Sequence, residues 1–242
     1  MARQRAIRHR RQPPRRRLSR RLRGPALLAA VLLGAVAPVA GLIVLGMATQ
    51  GSRGIERLEG ISAAGRTLGD PNAPVTVVEF GDYQCPACKR FEETIGADLQ
   101  EKYVATGQVR FEFRNMAIIG PESALAAEAA ECANDQGKFW EYHDTLFEEQ
   151  QGENRGAFSS ERLVRFAREV GLDEAKFITC MENEQYKQMV LDETAAGNEI
   201  GVDSTPSFLI NGELVRGVRS LADFDRVIAE KLRELEEAAN SP

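Results

Sequence analysis

The stretch "VTVVEFGDYQCPACKRF", Val75 to Phe91, decides the fold. Its first six residues, Val75 to Phe80, are β-branched or aromatic with few polar positions, the pattern of a buried central strand. The following turn carries two cysteines three residues apart, Cys85 and Cys88. Beyond them Phe91, Ile95, Leu99 and Tyr103 recur at four-residue steps, which gives a helix one apolar face. "QVRFEFRN", Gln108 to Asn115, then alternates, with Val109, Phe111 and Phe113 on one side and Arg110, Glu112 and Arg114 on the other. Strand, helix and strand in this order predict a parallel pair joined by a right-handed crossover.

Outward from this unit, "GDPNAP", Gly69 to Pro74, is turn chemistry, and from Pro121 to Ile200 helical periodicity dominates, broken only by short Gly or polar segments. Strand pattern returns in "SFLI", Ser207 to Ile210, followed by Asn211-Gly212 and "ELVRGV", a hairpin signal. A last amphipathic helix runs through Leu221, Phe224, Val227, Ile228, Leu232 and Leu235. The expected class is α/β, with a helical subdomain over about 121–200 inserted between strands, and there is no internal repeat. Trp140, Tyr142, His143, Leu146 and Phe147 have the helical spacing of core residues, and His143 is assigned no catalytic role.

The 242 residues carry a formal net charge of −5, which hides a segregation. The first 23 residues hold eleven arginines and no acid, leaving 20 basic against 36 acidic residues, a net of −16, in the remainder. Behind the arginines lies "GPALLAAVLLGAVAPVAGLIVLGMA", Gly24 to Ala48, 25 residues without charge. A run of that length crosses a bilayer as a helix, for which ~20 residues suffice, and the arginines then mark the cytoplasmic side. Nucleic-acid binding does not account for the hydrophobic run. The predicted organisation is an Arg-rich cytoplasmic segment over 1–23, a transmembrane anchor over 24–48, a linker over 49–66 and an extracytoplasmic domain over 67–237. A cleaved signal peptide is the alternative, with small residues at Gly46-Met47-Ala48, but its apolar region normally spans only ~7 to 15 residues.

Outside the cytoplasm disulfides persist, so Cys85, Cys88, Cys132 and Cys180 suggest two pairs. Only the pairing of Cys85 with Cys88 and of Cys132 with Cys180 keeps the close pair together. Cys132 follows Leu125 and Ala129 by helical steps, and Cys180 lies beside Phe177 and Met181, so both face the interior of the helical block. A bond between them closes a loop of about 49 residues, worth about 4 kcal/mol. Two buried free thiols or a second redox pair are the alternatives.

Cys85 is expected at the start of the Phe91 helix, exposed, with Pro86 in a first-turn position where its missing N–H goes unneeded. The free N–H groups and partial positive charge of a helix N-terminus stabilise a thiolate, which makes Cys85 the nucleophile and Cys88, one turn on, the more buried resolving thiol. Zinc would need further ligands, and the chain has only His9 and His143 with no second close cysteine pair, so no metal is expected. A merely structural three-residue ring contributes little loop-closure entropy and is typically labile.

"GDPNAPVTVVEFGDYQCPAC", "GKFWEYHDTLFEEQ" and "VDSTPSFLING" together resemble the DsbA-like thiol-disulfide oxidoreductases, a thioredoxin fold with a helical insertion, over roughly Thr67 to Glu237. The resemblance implies that Cys85 is the nucleophile and Cys88 its resolving partner. It implies that the Thr205-Pro206 bond is cis, faces the cysteines and offers backbone groups to an extended substrate. It also implies that Glu79 is a buried acid beneath the cysteines that helps move the proton of the second thiol. Pro86-Ala87 differs from the Pro-His between the cysteines of the best-known strong oxidants, and alanine offers no donor there.

The expected function is oxidation of cysteine pairs in exported proteins by the Cys85-Cys88 couple, with no bound cofactor. A quinone-linked membrane partner of the DsbB or vitamin K epoxide reductase kind is the family-implied reoxidant. A reductase or isomerase of the same fold, or a non-catalytic thioredoxin-fold peptide-binding protein, is the competing reading.

Overall fold

The computed structural model describes residues 60–216 and 220–241. Two short strands, β1 (Ala63–Ala64) and β2 (Thr67–Leu68), form the first hairpin. Next come β3 (Val75–Gly81), α1 (Pro86–Phe91), β4 (Val109–Asn115), five helices, the hairpin of β5 (Ser207–Ile210) with β6 (Glu213–Arg216), and the closing helix. The sheet order is β1-β2-β4-β3-β5-β6, with β3 and β4 parallel and every other neighbouring pair antiparallel. The expected strand–helix–strand unit is therefore present, with β3 central.

The sheet starts earlier than the 49–66 linker allows. Ala63–Ala64 pairs with Thr67–Leu68, and Arg66 donates to both carboxylate oxygens of Glu193 at 2.9 and 2.7 Å. Two-residue strands turning at Gly65, whose φ is +59°, are too short to show a period, which is why this hairpin does not read as strand. The predicted segments 1–23 and 24–48 lie outside the described residues. Among the described residues no helix is long and apolar enough to cross a membrane.

Alternation settles what the sheet faces. Val75, Val77 and Glu79 of β3 share a face with Phe111 and Phe113 of β4 and with Phe208 and Ile210 of β5, and all seven are buried. Phe91 of α1 and Phe224 of the last helix stack with Phe208 there, at ring separations of 4.8 and 4.9 Å. Arg110, Glu112 and Arg114 line the opposite face with ion pairs, while Phe80, Met116 and Val202 make a small second cluster.

The insertion consists of α2 (Pro121–Asn134), α3 (Phe139–Glu148), α4 (Ser160–Glu169), α5 (Glu174–Glu182) and α6 (Lys187–Glu199). Trp140, Tyr142, His143, Leu146 and Phe147 of α3 are all buried, as their spacing requires. At the β5–β6 turn Asn211 and Gly212 both have positive φ, +44° and +87°, the conformation that makes Asn-Gly the favoured two-residue hairpin tip. Helix α7 (Leu221–Asn240) opens with a reciprocal capping box between Ser220 and Asp223.

The helix behind the cysteines departs from simple α periodicity. After α1 the chain widens into a π-helical turn over Glu92–Gly96, returns to α over Ala97–Leu99, and widens again over Gln100–Val104. The first wide turn places Glu92 in the interior, where its Oε1 lies 3.4 Å from Nε2 of His143.

Candidate active site

Asp82, just beyond β3, shapes the turn that carries the cysteines. Its Oδ1 accepts from the Gln84 amide at 2.8 Å and from the Ser123 hydroxyl at 2.7 Å. Its Oδ2 accepts from the amides of Ile118 and Ile119 at 2.9 and 3.0 Å. One buried carboxylate thus ties the turn to the start of the helical insertion. Cys85 follows as the N-cap of α1, extended at φ −74° and ψ 118°, and Pro86 occupies the first helical position. The Cys85 carbonyl accepts the first helical bond from the Lys89 amide at 3.1 Å.

Both thiols are free, and both are buried. Cys88 is fully enclosed, whereas Cys85 keeps 8% of its surface. This corrects the expectation of an exposed Cys85: the Thr205-Pro206 segment, 120 residues on, covers it, and the Cys85 Sγ donates to the Thr205 carbonyl oxygen at 3.3 Å. No local pattern around Cys85 reveals a cover supplied from so far along the chain. The Thr205-Pro206 peptide bond is cis.

The two sulfurs differ in their willingness to lose a proton. The Cys85 thiol is lowered to about 6, first by the hydrogen bond from Cys88, against burial, and then by Thr205 and the amides of Cys88 and Ala87. The thiol's contact with the Thr205 carbonyl favours the protonated form, so the part of Thr205 that lowers the value is its side-chain hydroxyl. Cys88 moves the other way, pushed well up by burial, by its bond to Cys85 and by the charge of Glu79. Glu79 is fully buried on β3, on the face covered by α1, between Phe113 and Phe208 in register.

Further polar groups join the site without a sequence signal beyond being polar among apolar neighbours. Gln150 donates to the carbonyls of Tyr83 and Cys85 at 2.7 and 3.1 Å. Gln84 accepts from the Asn154 amide at 2.5 Å and donates to Ser123 at 2.9 Å. The Tyr83 hydroxyl lies 3.1 Å from Nδ1 of His143. Among the described residues no group of three or more His, Cys, Asp or Glu is arranged to hold a metal.

Cys132 and Cys180 form a disulfide between α2 and α5, with Cα atoms 5.9 Å apart. A cleft of about 620 Å³ lined by Asp135, Gln136, Lys176, Thr179 and Gln185 runs beside it.

Comparison with known proteins gives this geometry a family. The profile of a family described as Thioredoxin matches residues 62–230. A Bacillus anthracis protein named "Probable disulfide bond formation protein D" is 30% identical over 201 residues, 80% of this chain and 90% of that protein. The chain belongs to the DsbA-like thiol-disulfide oxidoreductases. The crystal structure of oxidised BdbD from Bacillus subtilis superposes with a TM-score of 0.65 at 27% identity, covering 73% of this oxidoreductase and 95% of that chain. Reduced DsbA from Mycobacterium tuberculosis gives a TM-score of 0.56 at 25% identity, covering 72% and 91%.

Proposed function

We propose that this thiol-disulfide oxidoreductase oxidises cysteine pairs of exported proteins, with Cys85 as nucleophile and Cys88 as resolving thiol. The observation that carries the reading is the split between the two sulfurs: Cys85 titrates at about 6 while Cys88 is pushed well above an ordinary thiol. A substrate thiolate attacks Sγ of Cys85 in the disulfide form and breaks the Cys85–Cys88 bond. Cys88 leaves as a thiolate and takes up a proton, and Glu79 beneath it assists that transfer. The second substrate thiolate attacks the substrate sulfur of the mixed disulfide and expels the Cys85 thiolate. Two electrons pass from substrate to enzyme, and the substrate leaves as a disulfide.

A low-pKa sulfur is a good leaving group, so the stabilised Cys85 thiolate supplies the driving force for oxidation rather than reduction. The Thr205 carbonyl meets the Cys85 thiol and the Thr205-Pro206 bond is cis, which supports reading these two residues as the backbone edge that receives an extended substrate. Residues 24–48 anchor the protein, with 1–23 cytoplasmic and the domain outside, on the strength of the uncharged run and its arginine flank. Reoxidation falls to a quinone-linked membrane partner, and the anchor keeps both on one membrane.

The test is oxidative refolding of a reduced protein substrate together with the potential of the Cys85–Cys88 pair. Cys85→Ser should abolish turnover, and Cys88→Ser, given a substrate that already carries a disulfide, should open that bond through the Cys85 thiolate and accumulate the mixed disulfide, the second substrate sulfur leaving as a thiolate. A potential near ~−120 mV supports oxidation, whereas one near ~−270 mV would make the protein a reductase.

A further inference from the structure

Gln150 lies directly after α3, in the insertion, and outside the strands and helix that carry the cysteines. Its side-chain amide nevertheless reaches the reactive turn and donates to two main-chain carbonyls, those of Tyr83 and Cys85. The Cys85 carbonyl belongs to the reactive residue itself and already accepts the Lys89 amide, so Gln150 fills its remaining acceptor site.

The loop that presents Gln150 is fastened from the other direction. Gln84 reaches out of the turn to the Asn154 amide at 2.5 Å and to the Asn154 Oδ1 at 3.2 Å. Asn154 itself sits at φ +51°, in the left-handed region that few non-glycine residues occupy. Glu122, from the first turn of α2, accepts from the amides of Gly156 and Phe158 at 2.7 and 2.9 Å. Two glutamines thus cross between turn and loop in opposite directions, and Gln150 is held in place before any substrate arrives.

We propose that Gln150 is a positioning residue through which the helical insertion sets the redox potential of the Cys85–Cys88 pair. The inference rests on Cys85 being the nucleophile. An amide whose N–H dipole points at the Cys85 carbonyl offsets the negative end of that carbonyl next to the sulfur. It also fixes the Cys85–Pro86 peptide plane, and with it the aim of the Ala87 and Cys88 amides that stabilise the thiolate. Both effects act on a charged sulfur and vanish in the disulfide, where Sγ is neutral. Gln150 therefore favours the reduced protein and makes the pair a stronger oxidant. A residue that only braced the turn would stabilise both redox forms alike and leave the potential where it stood.

The test uses full-length Gln150→Leu, Gln150→Lys and the near-isosteric Gln150→Glu. Two readouts are needed: equilibration with glutathione buffers, and the pH profile of Cys85 alkylation. Gln150→Leu removes the donor and should shift the equilibrium toward the disulfide about tenfold, ~30 mV for a two-electron couple, with the alkylation midpoint rising. Gln150→Glu replaces the donor with an acceptor and should shift both in the same direction at pH 7, which keeps the test alive if the leucine protein does not fold. Gln150→Lys keeps a donor and adds positive charge, so it should hold the potential at or above the parent value. The inference is overturned if leucine and lysine shift the potential equally, or if the variants change only the melting temperature of both redox forms. If alkylation of the parent protein labels Cys88 before Cys85, the nucleophile assignment fails as well. A normal Cys85 profile with unresponsive Gln150 variants defeats the Gln150 inference alone.

Discussion

The two cysteine pairs sit in one domain and meet opposite electrostatics. Cys85 is the N-cap of α1, where the amides of Ala87 and Cys88 favour the thiolate. Cys132 and Cys180 lie in the last turns of α2 (Pro121–Asn134) and α5 (Glu174–Glu182), where the negative end of the helix dipole opposes a thiolate. The first placement stabilises the leaving thiolate and makes its bond easy to open. The second gives a departing sulfur no such help. Ring size points the same way: the bonded pair closes a sequence separation of 48, the reactive pair a separation of three. Under the proposed function, helix polarity, rather than the presence of cysteine, separates the exchanging pair from the bonded one.

The sharpest break of this contrast is in activity. Cys85→Ser should remove disulfide exchange altogether, while Cys132→Ala with Cys180→Ala should leave it in place, both read by refolding of a reduced substrate. If the double-alanine protein lost turnover with its fold intact, the second pair would be redox-active too.

In stability the order reverses. Losing Cys132 and Cys180 should destabilise the protein by about 4 kcal/mol in denaturant titration, from the lost constraint on the unfolded chain. Opening the Cys85–Cys88 bond should instead stabilise the fold once the thiolate forms.

The pH dependence follows from that second point. Because the Cys85 value is depressed, the stability that Cys85 lends the reduced protein is fully present above the ordinary cysteine value of ~8.5 and is lost as pH falls through about 6. Unfolding the oxidised and reduced forms at pH 5 and pH 8 should therefore show the reduced form gaining only at the higher pH. Alkylation should report a single titration near pH 6 at Cys85, with Cys88 silent over the same range.

The smallest expected effect belongs to Glu79→Gln. Removing the buried charge should bring the Cys88 value down, since Glu79 is one of the groups that raises it, and should slow exchange by severalfold through loss of proton transfer. Unchanged exchange with a shifted Cys88 titration would leave Glu79 an electrostatic neighbour only.

Much of this was legible where a residue's role is set by its near neighbours. The β-branched run of β3, the alternation of β4, the Asn-Gly tip at Asn211 and the apolar stripe of α7 as far as Leu232 each carry a period or a turn signal, and each appears in the structure, whereas Leu235 at the end of the expected stripe is exposed. The burial of His143 followed from helical spacing alone. What the chain does not announce is set at long range. The cover over Cys85 comes from Thr205, the inward turn of Glu92 depends on a π-helical widening, and the Gln150 contact is made by a loop amide with no periodic signature. The first hairpin escaped because two residues cannot display alternation.

The helical insertion leaves the sheet after β4 and returns before β5, the two strands that flank β3. Both of its ends are therefore moored beside the strand that delivers the cysteines, so the excursion can lengthen, shrink or exchange its outer surface without disturbing the sheet's pairing. A lineage that altered this cassette would keep its chemistry and change its strength as an oxidant, provided the change reached the single amide that bridges back to Cys85.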